Sequence, residues 1–459
     1  MANRVAVVGS GIAGLTAAYE LDKAGHEVVV LESKDFTGGR MSAVSRGDFE
    51  SSTGAETIFA FYTDMHEIID EVGLRDRVLE LPGIEGGVIH RADGGSHTYD
   101  AGSSIEQLFT TDALSLRSKL RLPRLIAEIH EAGKEIDANF AHTAARFDDE
   151  SMEAYLTRTV GADLVDNFAD PMFEMNWTWS ADEISKAYFL SWAKHLGEGL
   201  GVATFLGGIH ELTRELARRL TVRTATTVTE LVPRSGAGRL VRFRNADGTL
   251  GEEEFDGVVV AVQGDRVAGL VPDLLAEERA FLQKVRYTRS VKVLYELSEP
   301  VPARQEMYAR THQSPLSVIA TMPEEVLTGR AKAMVLIEAN SRGMREYLER
   351  GGGPGGVDDF YRPVLRREFD GFDSKVIDVH ETWWDDMLPY FHVGYHRAVA
   401  DFLVLQQHTP RADLVFCGDY ISHAHTGGAC ASGRKAGRDM IRRLERRNTV
   451  AHEPAPHLV

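Results

Sequence analysis

The residues best placed to do chemistry come early. Gly9-Ser10-Gly11-Ile12-Ala13-Gly14 is followed, eighteen positions after its last glycine, by Glu32. This spacing suits a dinucleotide. Gly9 permits a tight turn, Gly11 lets the backbone approach a pyrophosphate, and Gly14 lets a helix pack closely on a strand. A helix opening at Ile12 and Ala13 presents free N–H groups and a positive dipole end to phosphates. The Glu32 carboxylate can accept hydrogen bonds from ribose hydroxyls, and it repels a 2′-phosphate. A glycine triplet alone is a weak signal. Here Arg4–Val8 reads as a short buried strand, Leu15–Ala24 as a helix and His26–Leu31 as a second strand, so every part of the cradle falls in register.

Elements of other kinds must complete it. LSLRSKLRLPRLIAEIHEAG and SMEAYLTRTVGADLVDNFADPMF carry apolar residues every three to four positions and predict amphipathic helices, whereas YTRSVKVLYEL and AMVLIEA predict strands. Residues 234–249 predict a hairpin turning near Ala246-Asp247-Gly248. GGGPGG at 351–356 reads as a surface loop. The pattern implies an α/β protein in which one nucleotide-binding domain is assembled from residues 1–90, 205–285 and 395–447. The second domain takes residues 91–204, helical over 104–200, and 286–394. Residues 448–459, with two prolines, read as a disordered tail.

Three segments narrow the cofactor. Ser33 leads into Gly38-Gly39-Arg40-Met41, Gly54-Ala55-Glu56-Thr57 follows, and FCGDYISHAHTGGACASGRKAG occupies 416–437. This combination resembles the flavin amine oxidase and protoporphyrinogen oxidase superfamily, with its phytoene-desaturase-like members, over nearly the whole chain. The resemblance implies a Rossmann-type FAD-binding domain with an interleaved substrate domain of mixed sheet plus helices, as in glutathione-reductase and amine-oxidase folds. It places Arg40 against the cofactor, Gly418 and Asp419 near the pyrophosphate and ribityl chain, and the helix at Gly428-Ala429 with its N-terminus toward the flavin. Reduced flavin carries negative charge that such a helix end stabilises. Leu206-Gly207-Gly208 matches a Gly-Gly helix start, Val228 on the strand Thr226–Thr229 would face the adenine, and strand 257–262 would complete the sheet. No cysteine stands where relatives attach flavin, so non-covalent FAD is implied.

The same resemblance frames the reacting end. Trp383-Trp384 to Tyr390, then Gly394-Tyr395-His396, looks closer to protoporphyrinogen-oxidase-like members than to monoamine oxidases. Trp384, Tyr390 and Trp177 are expected to line the substrate cavity, with Trp383 and Trp384 facing opposite ways because adjacent strand residues alternate. Lys292 matches the lysine that amine oxidases hold near the flavin to help reoxidation by dioxygen; an exposed edge or a snorkelling side chain explains it equally well. The amine-binding pair of aromatic rings is missing, since His425 and the region of Met387 fall at those positions. His423 and His425 lack the further ligands a metal needs, so no metal is expected, and His425 is a candidate proton acceptor or substrate partner. The implied activity is hydride removal from a mostly apolar or cyclic small molecule, by C–C desaturation or C–N oxidation, with dioxygen as acceptor. A redox-neutral isomerase or cyclase is the alternative. A non-catalytic binding protein of the same fold is more remote, because the flavin motifs are intact.

Composition limits the partners. A net charge of −18 over 459 residues disfavours nucleic acid and anionic lipid. No apolar run is long enough to span a bilayer, and the run MANRVAVVGSG lacks a cleavage site for a signal peptide. Two cysteines, Cys417 and Cys430, fit a reducing cytoplasm. The basic run Arg438, Arg442, Arg443, Arg446 and Arg447 reads as a solvated helix end. Oligomeric state does not follow.

Overall fold

The computed structural model describes all residues except 1, 47–48, 82–85, 101–104, 196–200, 236, 303–304, 323–330, 410 and 453–459. Its first sheet is parallel and five-stranded, in the order Leu414–Phe416, Gly257–Val260, Arg4–Val8, Glu27–Leu31, Val222–Arg223. The central strands are runs of valine because both faces are covered, the pattern a parallel sheet requires. Helix Ile12–Lys23 leaves the first strand directly. Helix Thr426–His452 lies across it so tightly that a Cβ on Gly433 would stand 2.0 Å from the Ala13 carbonyl oxygen.

The second sheet has seven strands, in the order Val376–Trp384, Ser290–Leu297, Ala333–Ala339, Leu316–Met322, Gln305–Tyr308, Gly86–His90, Ser96–Asp100. The outer face of its first strands packs on helices Ser341–Glu349 and Val357–Glu368. Helices between Glu106 and Ala193 form a further layer around the aromatic cluster of Phe173, Trp177, Trp179, Tyr188 and Trp192. A third, antiparallel sheet contains the expected hairpin, 239–244 against 250–255, and strand Thr227–Pro233.

Three expectations are corrected. Residues 86–90, assigned to the first nucleotide-binding piece, pair in parallel with 306–308 in the large sheet, a partnership too distant in sequence for local pattern to show. Strand 227–233 belongs to the antiparallel sheet, whereas 257–260 does join the parallel sheet, beside the first strand. The last helix continues to His452, through the start of the supposed tail; the rest of that tail lies outside the described residues. Among the described residues no helix is long and apolar enough to cross a membrane.

Candidate active site

Both sheets and the long last helix border one cavity of about 790 Å³. Its nucleotide side is made largely of backbone. Gly9 has φ of +105°, and a Cβ there would meet the Ala261 carbonyl oxygen at 2.8 Å. Gly14 does not line the cavity; a Cβ on it would press on the Gly9 carbonyl oxygen at 2.0 Å, so it serves the strand–helix contact beneath. Gly11 is the opposite case. A Cβ there would meet nothing within 4 Å, and the helix that follows has no side-chain cap. Open space over uncapped N–H groups is what a pyrophosphate requires, and the cradle therefore fits a dinucleotide.

Glu32 stands over this turn, buried. One carboxylate oxygen accepts from the Ser10 N–H (2.8 Å) and hydroxyl (2.7 Å), the other from the Lys34 N–H (2.8 Å) and the Ser33 hydroxyl (3.2 Å). Gly38 binds back to the Ser10 carbonyl at 3.0 Å, bringing Gly39 and Arg40 alongside. Arg40 Nη1 then donates to Asp419 Oδ2 and to the Met387 carbonyl, both at 2.6 Å, so one guanidinium joins three separated segments. Ile12, Ala13, Ser33, Gly54, Ala55, Glu56, Thr57, Val228, Gly418 and Ala429 line the same cavity. Cys417 and Cys430 do not; burial pushes both thiols up to about 12, which keeps them protonated.

The far wall is apolar: Met172, Met175, Trp177 and Trp192 from the helical layer, Val318, Ala320, Met334 and Leu336 from the large sheet. Trp177 Nε1 donates to the Ala424 carbonyl (3.0 Å) and Trp384 Nε1 to the Thr53 carbonyl (3.0 Å), which fixes both rings at the cavity edge. Trp383 also borders the cavity, although its ring lies beside Tyr347 and the Arg289 guanidinium, so the expected division of the two tryptophans is only partly seen. Tyr390 is a correction. It lies off the cavity lining and stacks near Trp179, because its residue follows the Leu-Pro turn away from the sheet.

The two candidate catalytic groups fare differently. His425 borders the cavity, but its Nδ1 accepts the Gly428 N–H (2.9 Å) and its Nε2 meets the Ala138 carbonyl (2.9 Å). Burial pushes the ring down to about 4. A neutral ring with both nitrogens committed caps the last helix, and this corrects the expected proton acceptor. It also spends the Gly428 N–H, and Gly428 itself is absent from the lining. Lys292, in contrast, is buried just behind the lining: it is not itself a lining residue, but its Nζ is ion-paired with Glu56, which is, and donates to the carbonyl of Ser52, another lining residue, at 3.1 Å. The edge and snorkelling explanations fall away, since its strand is flanked on both sides.

Sequence reasoning missed Glu338, which lines the cavity opposite Lys292 in the strand register. A signal existed: AMVLIEA carries a lone acid in an apolar strand, as SVKVLYEL carries a lone base. Glu296, Asp378 and His380 gather within ligand distance of one another, but none lines the cavity.

Known proteins resemble this chain in sequence and in fold. A part of the chain is 30% identical over 171 residues to mitochondrial protoporphyrinogen oxidase of Nicotiana tabacum, covering 37% of this chain and 32% of that enzyme. Another match, 23% identical over 228 residues, is to a probable flavin-containing monoamine oxidase A of Dictyostelium discoideum, covering 47% and 48%. The aligned part thus spans only about a third to a half of these curated relatives. The fold superposes on a triple mutant of putrescine oxidase with a TM-score of 0.77 at 20% identity, over 96% of this chain and 99% of that one. The sequence pattern of flavin containing amine oxidoreductases matches residues 12–441, and the chain belongs to that family, with FAD as the cofactor its cradle holds.

Proposed function

We propose that the protein is an FAD-dependent oxidoreductase that takes hydride from a mostly apolar or cyclic small molecule, with dioxygen as electron acceptor. The observation that carries this reading is a single cavity joining an open dinucleotide cradle to an apolar wall, with a buried lysine ion-paired to the lining residue Glu56. FAD bound there supplies a two-electron acceptor for C–C desaturation or C–N oxidation. The protein's own groups do the rest. Gly11 and the first turn of the helix after it receive the pyrophosphate, and Glu32 takes the ribose hydroxyls. The Arg40–Asp419 pair holds the two ends of the cofactor domain together at the cavity. Met175, Met334, Leu336 and Val318 orient an apolar substrate and keep water from the reacting bond. The Lys292 ammonium offers a positive charge that favours the anion formed when dioxygen takes an electron.

An anaerobic screen for bleaching of the flavin colour, over candidate metabolites including amines and polyenes, tests the class of substrate. Bleaching by an apolar compound with slow recovery until air is admitted supports the proposal. Turnover of a substrate without any acceptor would make the protein a redox-neutral isomerase instead.

A further inference from the structure

Strand Ala333–Ala339 is interior to the large sheet, with Lys292 directly opposite Glu338 on one side and Val318 on the other. Side chains so paired have Cβ atoms about 4.5 to 5.5 Å apart on one face. Next to the pair that face carries the buried cluster of Leu294, Val318, Met334 and Leu336; farther along it Glu296 and His380 are bonded to each other at 2.7 Å, beside Asp378. Glu338 is half-buried; because its strand is interior and it lines the cavity, its exposure is to the cavity. Among the described residues its carboxylate accepts no hydrogen bond. The groups facing Lys292 are Glu56 and the Ser52 carbonyl from the segment 52–57, Glu338 from one neighbouring strand and Thr382 from the other. The nearby charges are spoken for: Glu50 is ion-paired with Arg214, and Arg40 with Asp419.

Two carboxylates therefore share one ammonium. Ionising all three groups leaves a net negative charge in a largely buried place, which is costly when it is not paired. We propose that Glu338 is a positioning residue that acts through Lys292, holding its charge and making the field of that charge on bound FAD depend on pH. The inference rests on the reading that Lys292 acts on the cofactor; it does not depend on which substrate is oxidised. Burial and Glu338 oppose each other at Lys292, where burial prevails and pushes the ammonium down to about 8. Burial likewise pushes Glu338 up to about 6 against the pull of Lys292. An opposite charge at this range is worth about one to three pH units to the group it faces. Removing the carboxylate therefore lets Lys292 lose its proton at lower pH.

The test is the reduction potential of the bound flavin, followed against pH by equilibration with redox dyes. A positive charge favours the reduced, anionic flavin, so the potential falls faster with pH where Lys292 deprotonates. In the wild type that break is expected near pH 8. In Glu338→Gln it should move down by about one pH unit or more, and in Lys292→Met it should vanish. Glu338→Leu suits its neighbours Leu336 and Met334, and it should behave like Glu338→Gln even if the amide fails to fold. A break that stays in place in a folded Glu338 variant overturns the proposal. So does an unmoved break accompanied by a raised KM for a cationic substrate, which would make Glu338 a substrate contact. A break that survives in Lys292→Met overturns instead the reading on which the proposal rests.

Discussion

The two sides of the cavity are built by opposite means. The nucleotide side is backbone: glycines that exclude a Cβ, one that leaves room for a ligand, and a carboxylate tied by four donors from Ser10, Ser33 and Lys34. The substrate side is side chain, gathered from helices near 172–192 and from strands 305–308, 316–322, 333–339 and 376–384. A surface made of backbone is specified by local spacing and tolerates little change. A surface made of side chains depends on which distant strands become neighbours, and it can be altered one residue at a time.

The contrast is broken most severely at Gly14. Gly14→Ala drives a methyl group into the Gly9 carbonyl, and overpacking against backbone should cost about 3 kcal/mol or more. Urea denaturation should show that loss, and flavin absorbance should show little bound FAD. Gly11→Ala meets nothing in the protein; its denaturation midpoint should stay put while FAD affinity falls. Equal destabilisation of both variants would mean that Gly11 also serves packing. Next in size is Glu32→Ala. Loss of a charged acceptor should weaken FAD binding by about 1.5 to 3 kcal/mol, read by fluorescence titration of the apoprotein, and an unchanged affinity would show that the strand end has another role.

On the side-chain wall the effects should be smaller and more selective. Lys292→Met keeps the stem and removes the charge. Mixing pre-reduced protein with dioxygen in a stopped-flow instrument should then show reoxidation slowed about tenfold, or about 1.4 kcal/mol of barrier, with flavin reduction by substrate little changed. The smallest expected effect is on stability against pH. The carboxyl of Glu338 is raised from its usual 4.5 to about 6, so between those values the folded state binds more protons than the unfolded chain. Stability is full below 4.5 and is lost as pH rises through about 6. Glu338→Leu should remove a decline on the order of 1 kcal/mol from the urea midpoints over that window; identical curves for wild type and variant would show that the group does not titrate there.

This division explains what could be read without a structure. The cradle, from Gly9 to Glu32 and from Gly38 to Arg40, was legible because each residue's task follows from its distance along the chain. The hairpin at 246–248 and the strands around Lys292 and Glu338 were legible as elements. Their partners were not. Nothing local indicates that 86–90 pairs with 306–308, or that Lys292 faces Glu338 across a strand pair, since register is chosen by the whole sheet. His425 misled for a related reason. A histidine beside a Gly-Gly helix start looks reactive until the Ala138 carbonyl, from a remote loop, takes its second nitrogen.

The bond from Arg40 to Asp419 spans 379 positions, and the contact between Thr16 and Cys430 spans 414. Strand 257–260 has its two neighbours at 4–8 and 414–416. During synthesis the first strand and its helix therefore leave the ribosome long before the surfaces that cover them exist. The early strands must wait, exposed, while the helical layer and the large sheet form between them. The site closes only when the helix beginning at Thr426 settles on the one beginning at Ile12. A ribosome stalled before that helix emerges would hold a chain whose core around the first strands, completed by Cys430, Ala436, Met440 and Leu444, is still open, with the cofactor side of the cavity unfinished.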